Sequence, residues 1–169
     1  IAPSEKIPVA PLGIKIIENI DLNEVYQYLN LDYIFKLHWG IRGMSKEEYD
    51  RAIKETYLPI LEQLKKESIE KGYLEPKAVY GFFKCRKQND SLIVLDSEGK
   101  EIIFNFPRQK KDEFLCLADY FNEKSDVVSF QVVTVGNRIS KICDELNEKG
   151  DYSKSHFMYG LAVETAEAL

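Results

Sequence analysis

Eleven residues constrain this chain more than any others: Asp126–Gly136, DVVSFQVVTVG, in which Val127, Val128, Phe130, Val132, Val133 and Val135 form a run that does not alternate. Alternation marks a strand with one wet face. Its loss predicts a strand buried on both faces, with Ser129, Gln131 and Thr134 seeking partners inside. Such a strand needs neighbours, and the apolar runs Ala78–Phe83, Leu92–Asp96 and Ile102–Phe106 supply them upstream. The sheet is therefore expected in the second half of the chain.

The runs from Ala78 to Phe106 read as a three-stranded meander, with Asn89–Asp90 and Glu98–Gly99 as its turns. Upstream the period is helical. In SKEEYDRAIKETYLPILEQLKKESIEKG, Ser45 and Glu48 have capping-box spacing, Gly72 supplies the stop, and Ala52, Ile53, Tyr57, Ile60, Leu61, Leu64 and Ile69 form the apolar face. Pro59 should kink this helix or divide it. Asp21 caps an earlier short helix, about Leu22–Leu29, and Leu31–Trp39 is a helical turn with Ile34, Phe35 and Trp39 inward. Two helices close the chain. Arg138–Asn147 turns Ile139, Ile142 and Leu146 inward; Ser155–Leu169 carries a narrow face of Leu161, Ala162, Thr165, Ala166 and Leu169, flanked by Glu164 and Glu167 and small enough to lie close to the sheet. Residues 1–20, with Pro3, Pro8 and Pro11, read as an extended lead-in or linker with a short strand at Leu12–Ile17, and residues 21–169 as one domain. The predicted class is α+β, a twisted, mainly antiparallel sheet with flanking helices.

Charge and composition narrow the functions. The 169 residues are 44% hydrophobic and 12% aromatic, enough for a core, and the net charge of −5 argues against general nucleic-acid binding. No apolar run approaches the roughly 20 residues of a membrane span, so a cytoplasmic protein is expected. Cys85, Cys116 and Cys143 lie far apart, as do His38 and His156, so no metal site is expected and the thiols suit a reducing compartment. FPRQKK at Phe106–Lys111 concentrates Arg108, Lys110 and Lys111, with Lys84, Arg86 and Lys87 as neighbours in prospect: either an acidic-partner patch or a solvated strand exit. Asp119, inside FLCLADYF, must be paired or hydrogen-bonded, either as a structural cap or as a site residue. No phosphate loop, nucleophile elbow or zinc-protease motif is present, and no catalytic side chain is assigned.

VYGFFKCRKQNDSLIV, IIFNFPRQKKDEFLCLADYF, DVVSFQVVTVG and HFMYGLAVETAEAL, in this order from about Asp21 to the last residue, closely resemble the activation domain of cobalamin-dependent methionine synthase. The resemblance implies a domain that binds S-adenosylmethionine and docks on a cobalamin-binding domain or subunit. Inactive cob(II)alamin is then remethylated with a methyl group from S-adenosylmethionine and an electron from flavodoxin. It further implies an acidic ligand at Glu167, in AEAL. The aspartate of the family's YID segment falls on Asn30 in YLN, with Asp32 as the alternative. The family's main S-adenosylmethionine motif, RxxxGYP, is expected some tens of residues after the alanine-rich helix, and these 169 residues do not contain it. The chain is accordingly expected to be a piece of a longer one that binds S-adenosylmethionine weakly or not at all alone. The other reading is a scaffold or interaction domain of the same fold without the ligand.

Overall fold

Lys77–Gln88 (β2) organises the sheet. In the computed structural model, which describes residues 9–111 and 113–169, Gly13–Ile17 (β1), β2, Ser91–Leu95 (β3) and Glu101–Asn105 (β4) lie in that order, and Asp126–Thr134 (β5) also pairs with β2. The prolines Pro3 and Pro8 of the expected lead-in lie outside the described residues. The α+β class expected from the sequence is the class found.

The meander forms for the local reasons its turns suggested. β2 and β3 are antiparallel with Gln88 opposite Ser91, leaving Asn89 and Asp90 as a two-residue turn in which Asn89 takes φ 54°, a conformation asparagine tolerates. β3 and β4 are antiparallel with Leu95 opposite Glu101. Their turn is stitched by the Asp96 carboxylate, which accepts from the amides of Glu98 and Lys100 at 2.9 and 2.8 Å.

The strand buried on both faces is β3, where Leu92, Ile93 and Val94 are all at most 3% exposed, and not the valine-rich β5. Of β5 only Asp126 is buried; Val132 is 68% exposed, and Ser129, Gln131 and Thr134 stand at the surface. The expectation of a central β5 is thus overturned. β-branched residues favour extended backbone whether or not anything covers them, so composition predicted the strand and not its place in the sheet. Phe130 still contributes, stacking on Phe104 at 5.3 Å beside a small core of Cys85, Leu92 and Val94.

The chain divides into two compact units, residues 1–16 with 79–132 and residues 17–78 with 133–169. The second holds the helices: Leu22–Val25 (α1), Lys46–Ala52 (α2), Leu58–Lys71 (α3), Arg138–Glu148 (α4) and Tyr152–Glu167 (α5). Ser45 and Glu48 form the predicted capping box, and α3 ends on Gly72 in the left-handed region at φ 60°, where a Cβ would be strained. Pro59 sits in the first turn of α3, directly after a widened, π-type turn at Ile53–Tyr57. Proline lacks the N–H that would continue the regular ladder, so the helix divides there.

The close approach that the small residues of α5 permit is to helices: α5 packs on α3, α4 and the π-type turn Tyr33–His38. At Gly160 a Cβ would lie 2.8 Å from the Trp39 indole, and Trp39 Nε1 donates to the carbonyl of Phe157 at 3.1 Å. Alanine normally gains about 1 kcal/mol over glycine inside a helix. Gly160→Ala is expected to reverse that sign and destabilise by about 1–3 kcal/mol, because the indole is held and cannot retreat. Urea denaturation tests this; a variant more stable than the parent would contradict it.

Candidate functional site

Asn30 follows the 3-10 turn Tyr26–Tyr28 and starts the next helical segment. Its side-chain oxygen accepts from the Tyr33 amide at 3.2 Å and its carbonyl from the Ile34 amide at 3.0 Å, which makes it the N-cap of that segment. Its own N–H donates across the unit to Glu164 Oε1 at 3.0 Å. Glu164, on α5, is 3% exposed, and its second oxygen lies 3.2 Å from His38 Nε2. Asn30, His38 and Glu164 therefore form one cluster drawn from three places in the sequence.

The other two candidates sit at the surface. Asp32 is exposed and pairs with Lys36 at 2.9 Å, one turn along, an ordinary surface ion pair. Glu167 is exposed at the last residue of α5, three positions from Glu164, so the two carboxylates occupy neighbouring positions on one helix. Asn30 and Glu167 thus lie on the two elements that Glu164 ties together, while Asp32 points its carboxylate elsewhere. Sequence reasoning noted Glu164 only as a flank of the small-residue face and assigned His38 nothing. The available signal was an acid three residues after Leu161 and next to Thr165, in the buried register of α5. A carboxylate there must find donors.

Half of the cations grouped around Phe106–Lys111 are consumed internally. Arg108 donates to both oxygens of Asp119, at 2.7 and 3.0 Å, to Asp90 Oδ1 and to the Phe114 carbonyl. Lys87 also reaches Asp119, at 2.9 Å, and Arg86 pairs with Glu101 at 3.0 Å. Lys84, Lys110 and Lys111 remain exposed. Arg108 first, then Lys87 and the Cys116 amide, hold the Asp119 carboxyl well below the usual carboxylate range. Asp119 is thereby a structural cap, one of the two roles its surroundings allowed.

The chemistry available from these side chains is binding and orientation. The three cysteines are buried, and burial, with the Asp126 carboxylate nearby, pushes the Cys85 thiol up to about 12, far from a nucleophile's range. Among the described residues no three His, Cys, Asp or Glu side chains gather to hold a metal, and no helix is long and apolar enough to cross a membrane.

Comparison with known proteins bears on what such a cluster serves. Residues 15–169 match the family model described as "Vitamin B12 dependent methionine synthase, activation domain". Curated relatives include the methionine synthase of Mycobacterium tuberculosis, 27% identical over 186 residues, covering 100% of this chain and 16% of the relative. The methionine synthase of Mycobacterium leprae is 28% identical over 182 residues, covering 97% of this chain and 15% of the relative. The chain thus spans only a small part of those proteins. Among solved structures, the crystal structure of a MetH reactivation domain bound to AdoHcy shares the fold, with a TM-score of 0.72 and 23% identity over 99% of this chain and 55% of that one.

Proposed function

We propose, because the chain belongs to the family of vitamin B12 dependent methionine synthase activation domains, that it acts in reductive activation of a cobalamin-dependent methionine synthase. In this reading residues 21–169 contribute to an S-adenosylmethionine site and dock on a cobalamin-binding domain, with a flavodoxin-like protein as electron donor. The setting is the cytoplasm, without nucleic acid or membrane as partner. S-adenosylmethionine would supply the methyl group, and the cobalt chemistry belongs to the neighbouring domain.

The observation that carries this reading is the hydrogen bond from the Asn30 amide to Glu164, which seats the Asn30 turn against the helix that bears Glu167. S-adenosylmethionine carries a sulfonium and an ammonium cation, and the polar groups here fit such a ligand: an exposed carboxylate at Glu167 and an amide oxygen at Asn30, with no lysine or arginine among the described residues bonded to either. Glu167 would accept from the ammonium group. Asn30 would present a neutral acceptor where the family has an aspartate. The solved relative bound to AdoHcy supports a ligand of this class.

Ligand-observed NMR, which reads weak complexes, tests the assignment. Glu167→Gln is expected to weaken S-adenosylmethionine binding roughly three- to tenfold, the size for an exposed charge-assisted contact, while Asp32→Asn leaves it unchanged. Equal affinity for all three proteins would remove Glu167 from the site, and no binding signal from any of them would favour a scaffold domain without the ligand.

A further inference from the structure

We propose that Glu164 is the positioning residue of this site: its buried carboxylate fastens both ends of the segment from Asn30 to His38 onto α5, fixing Asn30 relative to Glu167. The proposal rests on the binding reading above for its ligand, and on the geometry alone for the fastening. One oxygen takes the Asn30 N–H at 3.0 Å and the other lies 3.2 Å from His38 Nε2. The two anchors are the first and last residues of the segment.

What lies between them explains why anchoring is needed. Tyr33–His38 is a π-type turn, and it closes with the Trp39 amide on the Ile34 carbonyl at 2.8 Å. Widened turns of this kind are uncommon, less favourable than regular helix, and recur at functional sites. Ile34 and Phe35 hold its inner side, at 0% and 3% exposure, while Leu31, Tyr33 and Leu37 face outward. Apolar packing therefore fixes the middle of the segment and leaves its ends to polar contacts.

Glu164 also differs from the buried hydroxyls of Ser68 and Thr165. Ser68 and Thr165 turn their hydroxyls onto carbonyls of their own helices, at 2.7 and 2.6 Å, and Ser68 adds a long contact to the Met158 sulfur at 3.7 Å. Glu164 reaches across to a different element with both oxygens, and neither partner is a lysine or arginine. A carboxylate is costly to bury, and a core under selection for stability alone is served as well by an apolar side chain of the same volume. Its place here is explained by what it holds. Glu164 touches no ligand in this scheme; it acts through Asn30.

Two readouts separate this role from the binding reading. Glu164→Met keeps the side-chain length and removes both acceptors; Glu164→Gln keeps an oxygen for the Asn30 amide. In Glu164→Met, amide hydrogen exchange at Asn30 is expected to accelerate about tenfold or more while amides of β3 exchange as before, and S-adenosylmethionine binding is expected to weaken about tenfold. Glu164→Gln is expected to restore both to within about threefold of the parent. The proposal is overturned if Asn30 exchange in Glu164→Met matches the parent, or if Glu164→Gln behaves no better than Glu164→Met. It also falls if the segment loosens while the ligand binds as tightly as before. Should Glu164→Met not fold, Glu164→Gln decides alone: an unprotected Asn30 amide in that variant sinks the idea. A parent protein that gives no ligand signal removes the binding reading, while the exchange pattern still decides whether Glu164 fastens the segment.

Discussion

Trp39→Ala is expected to lower the stability of the helical unit by about 3–5 kcal/mol, the range for removing a large buried aromatic side chain. Trp39 is 5% exposed and sits among Phe157, Phe35 and Tyr57, with ring centroids at 4.4, 5.4 and 6.2 Å. Its indole N–H donates to the Phe157 carbonyl, and Gly160 leaves room for the ring against α5. Truncation would remove that hydrogen bond and open a cavity shared by α5 and the π-type turn, and the walls, drawn from separate elements, cannot collapse together. Trp39 is the single tryptophan, so circular dichroism in urea follows the variant. A loss below about 1 kcal/mol would mean that the site repacks, against the contacts described.

The second large effect is electrostatic and depends on pH. Asp119 accepts from Arg108, Lys87 and the Cys116 amide, and its carboxyl is held below its ordinary value near 4. A carboxyl whose folded value is depressed contributes stability that is fully present above the unfolded value and is lost as pH falls toward the folded one. Asp119→Asn should therefore melt at a lower temperature than the parent at pH 7, and the gap should close as the pH drops below about 4. Arg108 is partly exposed, so solvent screening reduces the size of the effect without changing its sign. Parallel melting curves across that window would show that the network contributes nothing. The same network makes Arg108 unsuitable as a docking probe: its charge reversal would set an acid against Asp90 and Asp119. A test of electron-donor docking belongs on Lys110 and Lys111, which are exposed.

Features set by near neighbours were readable in advance. The Ser45–Glu48 capping box, the Gly72 stop, the two turns of the meander and the inward set Ile34, Phe35 and Trp39 each depend on residues within a few positions. The family resemblance was equally accessible, because it rests on ordered segments and needs no contact to be known. Reading failed where one residue's role depended on a distant one. Arg108 looked like part of a cationic surface because Asp90 and Asp119, its partners, stand 18 and 11 residues away. Glu164 looked like a flank because the amide it receives is 134 residues upstream.

The amino-acid order by itself determined the elements, their caps and turns, the α+β class and the family, since backbone preference and local hydrogen bonding act over a few residues. Only the tertiary structure decided that β3 and not β5 is buried on both faces, that Arg108 and Lys87 are spent on Asp119, and that Glu164 joins Asn30 and His38. Burial and charge pairing are properties of what surrounds a side chain, and those surroundings are assembled from segments that the sequence keeps apart.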